Sequence, residues 1–376
     1  MRTLTLAVAA LATSLSIIGP ASAITEDTTN TYVKKFGAVG DGVNDDTFAF
    51  QQALAQVKAG GIVFLPDGNF TLSSTIVITK PVTIVGTGAA TQLYNKNNQT
   101  LFRFVNVNNS AIRDLYLGSN STQPGVSLIE FVNSHHNQIN NVTMLGGYYG
   151  LHLQGSLLNT VIDLRSGTNF QGFFAPTSIN NTWVMAEPFN GISANANTFI
   201  APVLEGGTNG LVLTDGAGQG SLHIMGGTIE GVSGTGLTLT GTFLPSSITG
   251  LHFEANGQAD IVVNNSSNIR IAAVASLPGG AASTPSISLS GDTRNVQITD
   301  SLLSIVSVAA STKRIQLQNI TFGAAGGNYC AFANVNLPAV NPALPYGSTA
   351  YGPNNPFPGP IANITAVNVG DYCAGL

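Results

Sequence analysis

One phrase is written three times between Asn197 and Val263, and it limits the fold more than any other feature of the chain. The copies are Phe199 to Gly206, Ile224 to Gly231 and Ile248 to Ala255, each carrying a glutamate at its penultimate position: Glu205, Glu230 and Glu254. These glutamates lie 25 and 24 residues apart, and a second apolar run follows each copy at Leu211, Leu237 and Ile261. A fixed period in the twenties, made of short β-rich runs with Gly and Asn corners, marks coils that stack because none buries its apolar face alone. Helical solenoids need longer repeats and a 3.6-residue rhythm, which this stretch lacks. The expected fold is an all-β parallel solenoid with three glutamates in one column.

Composition matters here for what it excludes. Only 8% of the 376 residues are charged and 43 are glycine, which suits an apolar interior with uncharged polar turns. A net charge of −5 with no basic run argues against nucleic acid, because neutralising phosphates takes clustered Lys and Arg. Beyond the N-terminus no apolar run is long enough to span a membrane. Residues 1–23 read as a secretory signal: Arg2, an apolar stretch from Leu4 to Ile18, then Ala21-Ser22-Ala23. Export makes a disulfide permissible, and the two cysteines, Cys330 and Cys373, are the expected pair. That bridge would tie down a Pro-rich tail, 336–376, behind a solenoid domain at 24–335.

After the signal comes Phe36-Gly-Ala-Val-Gly-Asp41-Gly-Val-Asn-Asp45-Asp46-Thr47. Asp45 or Asp46 stands where a helix N-cap belongs, and Phe48 to Val57 makes an amphipathic helix of about three turns. Gly60-Gly61 ends it, and Ile62-Val-Phe-Leu-Pro66 opens strand structure. Three close aspartates are metal-ligand types. Gly-Asp-Gly as a turn and Asp-Asp-Thr as a cap explain them without an ion, so neither metal nor cofactor is expected.

The run Phe36 to Thr47, with the later Gly60 to Pro66, resembles the opening of the pectate-lyase-like superfamily. That superfamily includes rhamnogalacturonase and epimerase-like proteins, exo-acting glycanases and phage tailspikes. The resemblance implies a single-stranded right-handed parallel β-helix of roughly ten coils, closed at its N-terminal end by the helix. It covers about 35 residues and is silent on chemistry, because hydrolases, lyases, epimerases and non-catalytic fibres share this opening.

Strand starts in that register fall at Val82, Ile112, Ile139, Val161, Trp183, Phe199, Ile224, Ile248, Ile269, Val296 and Ile315. Asn-Thr precedes a strand at Asn159, Asn181 and Asn197, where stacked asparagines would bond one another and the turn backbone. The long interval after Val82 and the insertion around Tyr148-Tyr149 would place loops on the flank, where binding surfaces form.

Neighbouring coils stack at about 4.8 Å, so glutamates in one column hold carboxyls roughly 5 Å apart, or about 9–10 Å across two coils. Retaining glycosidases need about 5–5.5 Å and inverting ones about 6.5–9.5 Å. Glu205, Glu230 and Glu254 are therefore the expected catalytic residues, with at least one pKa raised by like-charge repulsion. Solvating a turn is the competing role for each, and Asp163 (pairing with Arg165) and Glu187 are alternative acids on nearby coils. His223 and His252 flank the column and would bond sugar hydroxyls or move protons, against simple packing. Tyr148, Tyr149 and Trp183 are the candidate ring contacts, although alignment with Val161 and Phe199 also fits Trp183 to the core. Arg165 is the one basic residue between Arg113 and Arg270. His135, His136 and His152 lie farther away and receive no role.

In relatives, lyases that act on uronates use Ca²⁺ held by aspartates, or Arg and Lys, and the central coils offer only Arg165, with no lysine and no aspartate cluster. The expected function is a secreted enzyme cleaving a polysaccharide by hydrolysis with paired glutamates. The alternatives are a lyase or uronate epimerase working with His or Tyr, and a non-catalytic glycan-binding β-helix. A monomer is expected, with a trimer like the phage fibres as the other arrangement.

Overall fold

The computed structural model describes residues 29–167, 182–216, 218–277, 284–304, 306–309, 311–322 and 364–371. The expected signal segment, Asn181, Cys330, Cys373 and the Pro338 to Pro360 stretch lie outside them. Every named strand pairing is parallel, in one sheet of 21 strands and another of ten. The protein is a parallel β-helix of about ten coils.

In the central coils three strands make one turn. Asn197–Ile200 bends into Val203–Glu205, and Asn209–Thr214 then crosses to the ten-stranded sheet. The first bend needs one residue in the left-handed region per coil, and Asp114, Asn141, Asp163, Ala201, Gly226, Gly250, Ala273, Asp300 and Asn319 supply it. Gly, Asn and Asp dominate that column because they tolerate positive φ at least cost. In the central coils alternate residues of the strands are apolar and face inward, and Phe199, Ile224 and Ile248 stack in register.

The inner column of the first strands runs Ile84, Ile112, Ile139, Val161, Phe199, Ile224, Ile248, Ile271, Ile298 and Leu317. Val82, which does begin its strand, and Ile269, Val296 and Ile315 thus stand two residues before this column in register. A slip of two keeps the same face inward, so the apolar pattern cannot detect it. Trp183 is not in this column. It lies on Thr182–Glu187 of the ten-stranded sheet, so Val161 to Phe199 is one long coil rather than two.

Two corners are held as the sequence suggests. Asn159 Oδ1 accepts from Asn137 N at 2.9 Å, and Asn197 Oδ1 accepts from Asn159 Nδ2 at 3.0 Å, with each amide also donating to a carbonyl of the preceding coil's turn. The helix forms at Thr47–Gln56, burying Ala49, Phe50 and Ala53 with Phe50 edge-on to Phe70. Its aspartates are bonded within the turn and cap: Asp45 Oδ1 accepts from Thr47 N at 3.0 Å, Asp46 Oδ1 from Val39 N at 2.6 Å, and Asp41 Oδ1 from Asn44 N at 2.8 Å. The backbone of Ile364–Asp371 adds parallel to Lys313–Phe322, so the expected tail contributes a further strand.

Candidate functional site

Two clusters of titratable side chains stand on the outside of the solenoid. The first is the expected column. Glu205 pairs in register with Glu230, and Glu230 with Glu254. Leu204, Ile229 and Phe253 beside them are core residues, so strand alternation turns all three glutamates outward. Each is followed by a left-handed residue, Gly206, Gly231 or Ala255, which explains the recurring Glu-Gly. Burial and the charges of Glu205 and Glu254 raise the Glu230 pKa. His252 Nε2 lies 3.3 Å from Glu254 Oε2, and His223 Nδ1 lies 2.9 Å from Ser247 Oγ.

Arg165 lies in register with Val203, in the same outward column as Thr228 and His252, and is held by Asp163 at 2.7 Å. Trp183 belongs to neither surface. It is 1% exposed and its indole donates to the carbonyls of Glu205 at 3.1 Å and Gly206 at 2.8 Å. No ring face is left for a sugar, so the expected stacking role is corrected to a structural one.

Of the second cluster, the sequence points to Tyr148, Tyr149 and Glu187 but not to Arg103 or Glu130, and it leaves His152 without a role. Arg103, Glu130 and His152 occupy one column of the ten-stranded sheet, on Phe102–Val105, Ser127–Val132 and Tyr149–Gln154. Ile129 and Phe131 flank Glu130 in the core, as Leu151 and Leu153 flank His152, so both polar side chains point out of the solenoid. Both are nevertheless only 3% exposed. Arg103 Nε donates to Glu130 Oε2. His152 Nε2 lies 2.9 Å from Glu187 Oε1, which also accepts from Gln154 Nε2 at 3.3 Å. The other ring nitrogen, Nδ1, stands 3.7 Å from Glu130 Oε1 and has no hydrogen-bond partner. Tyr149 lies with its ring centroid 4.6 Å from that of His152 and packs edge-on against Tyr148 at 4.7 Å.

Electrostatics sharpens the arrangement. The hydrogen bond from His152 holds the Glu187 carboxyl below its usual range, against the opposing effect of burial. Burial pushes the Tyr149 phenol up to about 12, aided by Tyr148 and Glu187. Tyr149 is therefore a neutral proton donor at ordinary pH, beside an imidazole placed between two carboxylates and a guanidinium. Together these groups can neutralise an incoming carboxylate and move a proton. A signal existed in sequence: Ile-Glu130-Phe and Leu-His152-Leu each put one titratable residue inside an apolar strand, 22 residues apart.

Residues 30–191 match the family model described as "Rhamnogalacturonase A/epimerase, pectate lyase-like". Over that stretch the chain is similar to the pectate-lyase-like superfamily, whose fold the parallel β-helix shares. Among curated relatives, the mannuronan C5-epimerase AlgE1 of Azotobacter vinelandii is 45% identical over 65 residues, 15% of this chain and 5% of that protein. The chain thus matches a small fraction of that relative's length. Among solved structures, the A-module of the A. vinelandii mannuronan C-5 epimerase AlgE6 superposes with a TM-score of 0.60 at 18% identity, covering 91% of this chain and 99% of that one. PfbA, a surface adhesin of Streptococcus pneumoniae, gives 0.62 at 14% identity, covering 78% and 85%. At such identities the superpositions speak for the fold alone. The superfamily match spans every member of the His152 cluster and stops short of Glu205.

Proposed function

We propose that this β-helix acts on a uronate-containing polysaccharide by abstracting the proton at C5 of the sugar ring, as an epimerase or lyase, and that the His152 cluster is where it does so. The observation that carries this reading is His152, buried between Glu130 and Glu187 with Tyr149 and Arg103 beside it. A C5 proton becomes acidic enough to remove once the neighbouring carboxylate is neutralised, and Arg103 is the cation placed for that. His152 takes the proton. Tyr149, protonated at ordinary pH, returns a proton to C5 from its own side for epimerisation, or to the departing O4 for elimination. The curated relative's name, a mannuronan C5-epimerase, fits this chemistry. Export, with the sugar polymer as partner outside the cell, belongs to the same reading and is supported by the expected secretory signal at residues 1–23; among the described residues no helix is long and apolar enough to cross a membrane.

Incubating the protein with polymannuronate and with polygalacturonate in deuterated water tests this. Deuterium at C5, with or without absorbance near 235 nm from an unsaturated product, and its loss in His152→Gln, is the expected result. New reducing ends without exchange or absorbance, lost in Glu230→Gln, would overturn it in favour of hydrolysis by the glutamate column, a reading that the raised Glu230 pKa favours. Binding without any product on either polymer would make the chain a glycan-binding β-helix.

A further inference from the structure

Resting on that reading, the orphaned nitrogen of His152 deepens it. A buried ring nitrogen without a partner is costly, and here a carboxylate oxygen stands 3.7 Å away, too far to bond. Glu130 does not close the gap because Arg103, on the preceding coil, holds its other oxygen. In the neutral ring that donates Nε2–H to the Glu187 carboxylate, Nδ1 carries the lone pair, which repels the Glu130 carboxylate and leaves that carboxylate to Arg103. His152 is thus held in the tautomer whose free nitrogen faces a buried anion instead of a substrate.

We infer that a substrate carboxylate switches this tautomer by partner exchange: it takes Arg103, and the released Glu130 accepts a hydrogen bond from His152 Nδ1–H, leaving Nε2 as the proton acceptor. The exchange is balanced. One guanidinium–carboxylate pair replaces another, and one proton moves from Nε2 to Nδ1 through water. Glu187 then faces a lone pair and gives up its bond; it is part-exposed and has Gln154 as remaining partner. A carboxylate that accepts from one imidazole nitrogen fixes the other as the base. Glu130 is a positioning residue in this scheme. The ionisable groups facing His152 are Arg103 through Glu130, Glu130 itself, Glu187, and Tyr149 with Tyr148 behind it, so Nδ1 has no other described acceptor within reach.

The device makes chemistry conditional on an acidic sugar. A neutral residue of the same shape does not draw Arg103 away, so His152 stays in its resting tautomer. Base formation is thereby confined to sugars whose carboxylate occupies Arg103.

Nitrogen-15 NMR of the histidine rings tests it, using the full chain with a mannuronate tetrasaccharide and its carboxyl-reduced counterpart. The expected result is an Nε2–H signal for His152 in the free protein that becomes Nδ1–H with the acidic tetrasaccharide and stays unchanged with the reduced one. Glu130→Gln abolishes the change and lowers kcat for C5 exchange by about 100-fold or more without raising KM, because Arg103 is then free for the substrate carboxylate. Arg103→Gln leaves Glu130 free beforehand, so its His152 is Nδ1–H without ligand. Wild-type C5 exchange with an unchanged His152 tautomer would sink this inference while leaving the proposed function standing. A tautomer change without C5 exchange would do the reverse. A tetrasaccharide that leaves the histidine spectrum untouched at saturation, or an Arg103→Gln protein that keeps Nε2–H, also overturns it.

Discussion

The two outward-facing clusters are built on the same solenoid and obey opposite electrostatics. The glutamate column is generated by the repeat: one residue type, one sign of charge, one position per coil, with the side chain of Glu254 56% exposed. The His152 cluster is generated by departures from the repeat: Arg103, Glu130, His152, Tyr149 and Glu187 mix residue types and charge signs on neighbouring strands, with Glu130 and His152 almost fully buried. Burial and the like charges on either side raise the Glu230 pKa, whereas the hydrogen bond from His152 holds Glu187 down. A repeated acid on a solenoid can serve its turn equally well in every coil. A buried imidazole with an unfilled bond is harder to explain by folding alone. The difference teaches that in a solenoid the informative residues are those that do not repeat.

The largest expected effect separates the clusters directly. His152→Gln should lower C5 exchange by about 100-fold to 10,000-fold, while Glu230→Gln leaves it within a few-fold. Equal losses in the two variants, measured as deuterium incorporation by mass spectrometry, would erase the distinction drawn here.

Trp183 links the regions, since it shares a strand with Glu187 and caps the carbonyls behind Glu205. Trp183→Ala should cost about 3–5 kcal/mol in urea unfolding, as for other large buried aromatics. Trp183→Phe, which keeps most of the ring and loses the donor, should cost about 1–3 kcal/mol. An unchanged midpoint in the alanine variant would mean the two surfaces are not braced by this residue.

Stability should respond to pH in opposite directions at the two sites. Asp260, fully buried behind the column and bonded to Asn256 at 2.7 Å and to Ser276, has its pKa pushed up by burial to about 6. An acid raised on folding favours the native state below its unfolded pKa and loses that contribution as pH rises through about 6. Glu187 is lowered on folding, so its contribution is present above the ordinary carboxylate range and lost as pH falls. Asp260→Asn should therefore flatten the decline in stability between pH 4 and 7, and Glu187→Gln should weaken the acid-side loss. Denaturation midpoints across pH check both signs.

The smallest effect concerns the column alone. Removing one repelling neighbour in Glu205→Gln should move the Glu230 titration down in a carbon-13 NMR pH series. No movement would show that the side chains diverge despite their register.

Sequence alone determined that the chain stacks coils, that Glu205, Glu230 and Glu254 share a column, and that Asn159 and Asn197 bond turn to turn. Each of these follows from a period or a local pattern, and parallel in-register stacking carries such periods into space unchanged. Tertiary structure decided what the pattern leaves degenerate. A slip of two residues preserves the inward face, so only the paired backbone placed Ile84, Ile271, Ile298 and Leu317 in the core column. The 38-residue step from Val161 to Phe199 could hold one coil or two until Trp183 was seen in the other sheet, buried under the glutamate turns. Arg103, Glu130, His152 and Glu187 look unrelated in the chain, since tens of residues separate most of them. They meet because each coil advances by one strand spacing and returns the chain to the same face, an alignment set by where every intervening turn closes.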